Sequence, residues 1–340
     1  MGARRATAAR PAPLMPLAAA LLALASGPAT VLAQPASDYL GRGFPYATFD
    51  ALPKAGVGVQ GGTIDVAFAP GEIDLPREDW LDWVGKSADA IVTYYGRYPV
   101  ASVRLLFVPT GGSGMRGGQA FGYRGPAIRL AVGKASAADD MAQDWRLVHE
   151  MVHLALPDMP RRFNWLSEGL AVYVESIARV QAGHLPAEQI WRDFVRDMPK
   201  GLPADGDRGL DNTPSWGRTY WGGAMFCLLA DIEIRQRTGG RSGLQDALRA
   251  IVNEGGNIAV EWPIERVIAV GDAATGTTVL ADLYEKLRDA PVSPDLDALW
   301  RRLGVIPKGA TVVFDDDDAE LAAVRRAITA APAAPPPSAG

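Results

Sequence analysis

Cysteine is nearly absent from this sequence, since Cys227 is the only one in 340 residues. A single thiol cannot form an internal disulfide, so a disulfide-stapled scaffold is excluded. Zinc ribbons, RING-like sites and iron–sulfur clusters are excluded too, because each of them needs several thiolates. The length and the 48% of hydrophobic residues are typical of a globular protein with one large domain or two modest ones.

An excess of positive charge is also missing. The 34 Lys and Arg residues face 39 Asp and Glu residues, which gives a net charge of −5. A protein with this balance has no overall attraction for a phosphate backbone, so we predict no nucleic-acid partner. Histidine is scarce as well, with three in the chain, so the position of each one is informative.

The N-terminal residues 1–33 have the composition of an export signal. They combine a basic segment with three arginines, an apolar run over 14–25 and a small residue, Ala33, at the end of Val-Leu-Ala. This order is typical of a secretory signal peptide, and the run is too short to span a bilayer comfortably. We predict cleavage after Ala33, a periplasmic or secreted location, and a mature chain without a transmembrane segment, in which 31 basic residues face 39 acidic ones. An uncleaved membrane anchor is the alternative.

The order of patterns along the chain predicts an α+β fold. Alternating apolar residues predict strands, and apolar residues at three- and four-residue steps predict helices. A small mixed α/β lobe over 34–136 would precede a mostly helical lobe over 137–325 and a disordered Ala/Pro-rich tail over 326–340. The predicted strands are 63–69, 102–109 and 127–132, and the predicted helices are 80–95, 139–156, 164–182, 187–197, 218–237, 243–253, 278–289 and 295–303.

The segment His149-Glu150-Met151-Val152-His153 lies inside one of the predicted helices. Residues four apart on a helix share a face, so His149 and His153 can offer imidazole nitrogens to one metal ion. Glu150 lies beside His149 and can reach a water on that metal rather than the metal itself. Two of three histidines in this spacing around a glutamate predict a hydrolytic zinc site.

Such a zinc site needs a third protein ligand. Glu168 is the better candidate, because it lies in the first turns of the next predicted helix, which Asn164 can cap. His184 lies in a loop rich in Gly and Pro, and we do not assign it to the site. Gly169 would let the two helices approach closely, and Glu175 would either hydrogen-bond a ligand histidine or form a surface salt bridge.

The acidic run Asp315 to Asp318 is a further candidate metal site. Four adjacent aspartates point in different directions, however, so we interpret the run as a solvated loop or a helix N-terminal cap rather than a calcium site.

The segment HEMVH, followed after a gap of fourteen residues by Glu168 in WLSEGLAVYVE, resembles the gluzincin metallopeptidases. It is most similar to their aminopeptidase N and glycyl aminopeptidase branches. The resemblance implies a thermolysin-like catalytic core and one Zn²⁺ held by His149, His153 and Glu168. It also implies that Glu150 is the catalytic base and that Tyr220, two residues before a glycine, donates a hydrogen bond to the oxyanion. Arg218 is a rival donor for that role.

The same resemblance bears on specificity. The related aminopeptidases grip the substrate's free amine with an acidic residue on a glycine-rich strand, whereas the segment 117–122 has Gln119 and no carboxylate occurs between Asp89 and Asp139. We therefore expect an endopeptidase-like cleft in which the strand over 127–132 forms the edge and pairs with an extended peptide.

The predicted function is an exported zinc-dependent metallopeptidase acting on a peptide or protein substrate. A catalytically weak zinc-containing binding or scaffold protein, and a zinc hydrolase of a non-peptide substrate, are the alternatives. The sequence leaves the oligomeric state open.

Overall fold

A computed structural model describes residues 36–331. The predicted signal peptide and the end of the predicted tail lie outside these residues. The tail prediction is wrong at its start, because helix α12 (Ala322–Thr329) continues past residue 326. None of the helices within residues 36–331 combines the length and the hydropathy that a membrane span needs.

The first part of the described chain alternates strands and helices. All three predicted strands are confirmed, as β2, β3 and β5, whereas β1 and β4 were not predicted. Both missed strands are glycine-containing and partly exposed, so their apolar alternation is weak. The elements are α1 (Tyr46–Ala51), β1 (Lys54–Val59), β2 (Gly62–Phe68), α2 (Arg77–Tyr95), β3 (Ser102–Thr110), β4 (Met115–Phe121) and β5 (Ala127–Gly133).

These five strands form one mixed sheet in the order β1-β2-β3-β5-β4. The strands β2, β3 and β5 run parallel, and β1 and β4 pair antiparallel to them at the two edges. The prediction that the strand over 127–132 forms the cleft edge is therefore wrong. β5 is buried along almost its whole length, Arg129 included, as befits a central strand, and the glycine-rich β4 takes the edge.

The second part is mainly helical. The predicted helix over 139–156 is two helices, because Asp144 adopts an extended conformation and its side chain accepts the N–H of Arg146 at 2.7 Å. The predicted helix over 218–237 begins as a π-helical turn, Arg218–Gly222. The elements are α3 (Ala138–Gln143), α4 (Arg146–His153), α5 (Asn164–Gln181), α6 (Ala187–Asp197), α7 (Gly223–Thr238), α8 (Leu244–Asn253), α9 (Ile264–Thr275), α10 (Val279–Leu287), α11 (Leu296–Leu303), β6 (Val305–Lys308), β7 (Thr311–Phe314) and α12.

Helix α5 lies at the centre of a hydrophobic core that includes residues of both predicted lobes. A methyl group added at Gly169 would lie 2.2 Å from the backbone of Gly223, so this glycine does permit a close approach. The neighbour is α7 and not α4, which corrects the predicted pairing. Asn164 is the first residue of α5, and its side chain makes no capping hydrogen bond, so that part of the prediction is wrong.

Candidate metal centre

His149 and His153 on α4 lie beside Glu168 on α5. The Nε2 atom of His149 is 3.2 Å from Glu168 Oε2, and the Nε2 atom of His153 is 3.6 Å from the same oxygen. The helical spacing places both imidazoles on one face, and the chain between the helices turns back so that the first turns of α5 meet that face. The His149 side chain is 5% exposed and that of Glu168 is 18% exposed, so the cluster forms a floor that solvent can reach.

The donor set and its spacing fit zinc. The ligand atoms of the three residues all lie within 4.8 Å of one another. A tetrahedral zinc ion with bonds of about 2.0–2.2 Å keeps its ligand atoms about 3.4 Å apart. The separations of 3.2 and 3.6 Å match this spacing. Two imidazoles and a carboxylate are typical of a zinc site that keeps its fourth position open.

The electrostatics of the cluster favour the ligand forms of two of these residues. Burial would raise the pKa of Glu168, but hydrogen bonds from the two histidines, and their charge when protonated, outweigh it and hold that pKa well below its usual range. Burial lowers the pKa of His149, so its imidazole is neutral at pH 7. Burial also acts to lower the pKa of His153, but Glu168 and Glu150 outweigh it and raise that pKa.

The second nitrogen of each histidine has a different environment. The Nδ1 atom of His153 lies 3.0 Å from the Ser167 hydroxyl, which fixes the ring so that Nε2 faces Glu168. The Nδ1 atom of His149 is buried without a hydrogen-bond partner among residues 36–331. Sequence reasoning missed Ser167 because it considered only carboxylates for this role, although Ser167 directly precedes Glu168.

Among residues 36–331, Glu175 makes no hydrogen bond to either of the two histidines. Its side chain accepts from Ser176 at 2.8 Å and lies 3.6 Å from Arg179. The salt-bridge alternative is therefore correct, but the pair is buried rather than at the surface, with Glu175 at 8% exposure. Burial is the main reason that the pKa of Glu175 is raised to about 7.

Glu150 points from α4 towards the edge strand β4. It is 7% exposed, and this burial raises its pKa to about 7, opposed by His153 and by the backbone amide of Ala120. A methyl group added at Gly118 would lie 2.7 Å from Glu150 Oε1, so only glycine leaves room for the carboxylate there. A carboxyl group with this pKa can both accept and release a proton near neutral pH.

Tyr220 lies in the π-helical turn, opposite α4. Its ring stacks on His149 with the centroids 6.5 Å apart, and it also stacks with Trp216 at 5.8 Å. Burial and then the negative charges of Glu168 and Glu150 raise the pKa of its hydroxyl to about 12. The hydroxyl therefore remains protonated and can donate a hydrogen bond in the cleft.

Three other candidates are not part of this arrangement. Arg218 is buried, pairs with Asp207 at 2.9 Å and donates to the carbonyl of Gly201, so its proposed role as a rival oxyanion donor is not supported by its contacts. His184 lies on the exposed loop after α5.

In the acidic run, Asp315 accepts two backbone N–H groups of its own turn, and Asp316 pairs with Arg325 and Arg326. These contacts agree with a solvated loop.

A cleft of about 400 Å³ lies above the metal-ligand cluster. The edge strand β4 forms one wall through Gly118, Gln119 and Ala120, and helix α4 forms the floor. The exposed Trp145 and the neighbouring Arg146 line the cleft where α4 begins. Sequence reasoning missed both residues, although Arg146 lies one helical turn before His149.

The opposite end of the cleft is bounded by the segment that precedes α9. Ile258 donates its N–H to the carbonyl of Leu154 at 3.3 Å, just beyond α4. The end of β4 meets it, because a methyl group added at Gly122 would lie 1.9 Å from the Ile258 carbonyl oxygen. The exposed Asp158 also lines the cleft, at the same end of α4.

Comparisons with known proteins found similarity among solved structures only. No protein-family model and no curated protein matches the chain. Among solved structures, an aminopeptidase N family protein from Idiomarina loihiensis superposes over 75% of this chain and 49% of that chain, with a TM-score of 0.57 and 15% identity. An M1 zinc metallopeptidase from Deinococcus radiodurans covers 72% of this chain and 53% of that chain, with a TM-score of 0.46 and 15% identity.

The chain therefore spans about half the length of these solved proteins. At 15% identity, the likeness to the Idiomarina protein concerns the fold. The described part of the chain has an α+β fold like that of the Idiomarina protein.

Proposed function

We propose that the protein is an exported zinc-dependent metallopeptidase. The observation that carries the proposal is the convergence of His149, His153 and Glu168 on one point, with Glu150 beside them in a cleft. Zinc bound by these three residues would act as a Lewis acid and lower the pKa of a bound water. The remaining chemistry belongs to side chains of the cleft.

Glu150 is the proton carrier in this proposal. It accepts a proton from the attacking water and delivers it to the leaving amine. The backbone amide of Ala120 donates to this carboxylate, and Gly118 leaves room for it. Tyr220 donates its hydroxyl proton in a hydrogen bond to the oxyanion that develops on the substrate carbonyl.

An endopeptidase-like action is the first form of the proposal. Its support is the edge strand β4, which carries Gln119 but no carboxylate that would bind a free α-ammonium group. An extended peptide could add to this open edge as a further strand.

A second form, an aminopeptidase, has support from the other end of the cleft. Gly122 and Ile258 meet there, so a peptide chain has less room to continue, and Asp158 supplies a carboxylate that could bind an amino terminus. This carboxylate follows the metal-binding helix instead of lying on the strand.

Digestion of a peptide library by the purified protein, read by mass spectrometry, tests both forms. Chelator-sensitive cuts within peptides blocked at both ends support an endopeptidase, and stepwise loss of N-terminal residues supports an aminopeptidase. If zinc does not bind in a 1:1 ratio, or if cutting persists in chelator, the proposal is wrong. Zinc binding without cutting supports the binding-protein alternative or a non-peptide substrate.

A further inference from the structure

Arg146 is the first residue of α4 and lies one turn before His149. Residues three apart on a helix are neighbours on one face, so the guanidinium group lies on the same side of α4 as the metal-ligand cluster. It is the one Lys or Arg side chain that lines the cleft among residues 36–331.

A positive charge at this position does not stabilise helix α4. The N-terminus of a helix carries a partial positive charge, so a cation there is electrostatically unfavourable. Asp144 offsets this cost: its carboxylate pairs with Arg146, and its side chain is 7% exposed against 35% for Arg146. The buried Asp144 carboxylate serves two groups of Arg146, because it accepts the backbone N–H at 2.7 Å and pairs with the guanidinium at the rim of the cleft.

The guanidinium is also held in a fixed orientation. It lies over the ring of Trp145, with 5.1 Å between its central carbon and the ring centroid. Arginine has five N–H donors, and among the described residues those of Arg146 have one side-chain acceptor, Asp144. The planar group therefore retains donors for a second carboxylate.

Charge is distributed unevenly along the cleft floor. Arg146 lies at one end of α4, and the exposed Asp158 lies beyond the other end. The segment from Arg146 to His153 alone spans about 10 Å, the length of three extended residues. A negative group of a substrate is attracted to the Arg146 end and repelled from the Asp158 end.

We propose that Arg146 is a specificity residue that binds a carboxylate of the substrate. This rests on the proposed peptidase function. The carboxylate is either the side chain of an Asp or Glu near the scissile bond or the free C-terminus of a short peptide, since both offer the same planar pair of oxygens.

The test uses two peptide series and measures binding and cleavage separately. In the first series, hexapeptides capped at both ends carry one Glu or one Gln at each position in turn. In the second, the same peptides end in a free carboxylate or an amide. Binding is measured by fluorescence anisotropy with the zinc-loaded Glu150→Gln protein, and cleavage is measured with the wild type.

We expect the carboxylate form to bind about tenfold more tightly than the neutral form in one series, a ratio equal to about 1.4 kcal/mol. The first series identifies a side chain as the source, and the second identifies the C-terminus. Arg146→Gln should reduce the ratio to about one, and Arg146→Lys should leave an intermediate ratio, because a point charge lacks the planar fork. Arg116→Gln, which removes an exposed charge of β4 outside the cleft lining, should keep the full ratio.

The inference is overturned if the Glu150→Gln protein, which keeps Arg146, binds charged and neutral peptides equally. It is also overturned if this protein binds neither kind of peptide. Selective binding of carboxylates without cleavage by the wild type contradicts the peptidase function and leaves the role of Arg146 standing. Cleavage without selectivity contradicts the role of Arg146 alone.

Discussion

Two polar clusters inside the helical part differ in how their charges are paired. At Asp231, each carboxylate oxygen has partners: one accepts from the Tyr173 hydroxyl at 2.9 Å, and the other accepts from Arg235 at 2.8 Å and from the N–H of Leu244 at 3.0 Å. At Glu168, one oxygen instead faces two imidazole nitrogens, and the cluster opens into a cleft. In the first cluster every carboxylate oxygen has hydrogen-bond partners within the protein, and these bonds join three helices. In the second cluster the ligand atoms face one another and could bind a cation.

The comparison predicts that changes at the cleft reduce activity and leave stability intact. Glu150→Gln removes the proposed proton carrier but keeps the shape of the side chain. We expect peptide cleavage to fall by about 10²–10⁴, with zinc content unchanged. Cleavage rates, metal analysis and thermal unfolding of the purified variant check this.

Glu254→Gln is the matched control for that change, because it makes the same substitution at an exposed position. Unchanged cleavage by Glu150→Gln would contradict the mechanism. A loss of zinc in Glu150→Gln would show instead that Glu150 belongs to the ligand set.

Tyr220→Phe gives a somewhat smaller loss at the same site. Removal of one oxyanion donor typically costs about 10²–10³ in kcat, and we expect this loss with little change in KM. Tyr123→Phe is the control, since this hydroxyl belongs to a residue that is 81% exposed. If Tyr220→Phe cleaves as fast as wild type, the hydroxyl has no part in catalysis and the ring serves only to stack on His149.

Asp231→Asn should have the opposite signature. It leaves Arg235 as a buried charge without its partner, and we expect the free energy of unfolding to fall by about 3–5 kcal/mol. Zinc binding and the cleavage rate of the folded fraction should persist. Chemical denaturation compares it with Asp282→Asn, which breaks an exposed pair with Arg237 and should cost about 1 kcal/mol or less. An equal loss in both variants would mean that the buried network contributes no more than a surface ion pair.

The pH dependence of stability provides the smallest of the four effects. Glu175 has a folded-state pKa of about 7 against an ordinary value of 4.5, so its folded form holds a proton that the unfolded form loses between these values. Stability from this group is therefore present below about pH 4.5 and is lost as the pH rises through 7. Glu175→Gln should match wild type near pH 5 and exceed it by on the order of 1–3 kcal/mol at pH 8.

Denaturant titrations at the two pH values measure this difference, with Glu254→Gln as the reference for a change in charge alone. A Glu175→Gln variant that is less stable than wild type at pH 8 would show that the ion pair with Arg179 outweighs the burial of its carboxylate.

The fold could be predicted from the sequence where the local pattern is strong. The strands β2, β3 and β5 and the helix α6 follow from their apolar periodicity. β4 could not be found this way, because its segment contains two adjacent glycines, which weaken the strand pattern. The break between α3 and α4 depends on Asp144, whose cap on the following N–H replaces a helical hydrogen bond.

The candidate site divides in the same way. The spacing of His149 and His153 is local, so the sequence indicated both. The proposed partner Glu175 is correctly spaced along α5 but faces Arg179, because helical spacing alone does not reveal which neighbour covers a given face. Ser167, and not Glu175, is the hydrogen-bond partner of His153.

The sequence by itself determined the candidate ligands and base. The four-residue spacing of the two histidines indicated one helix face, and the Glu-Gly segment indicated Glu168. Only the tertiary structure decided the walls of the cleft. β4 is the edge because the buried β5 pairs with β3 on one side and with β4 on the other. Ile258 reaches the cleft from a loop far along the chain from α4. Long-range packing brings these residues together, and their chemistry at the two ends of the cleft differs because one end carries Arg146 and the other a carboxylate.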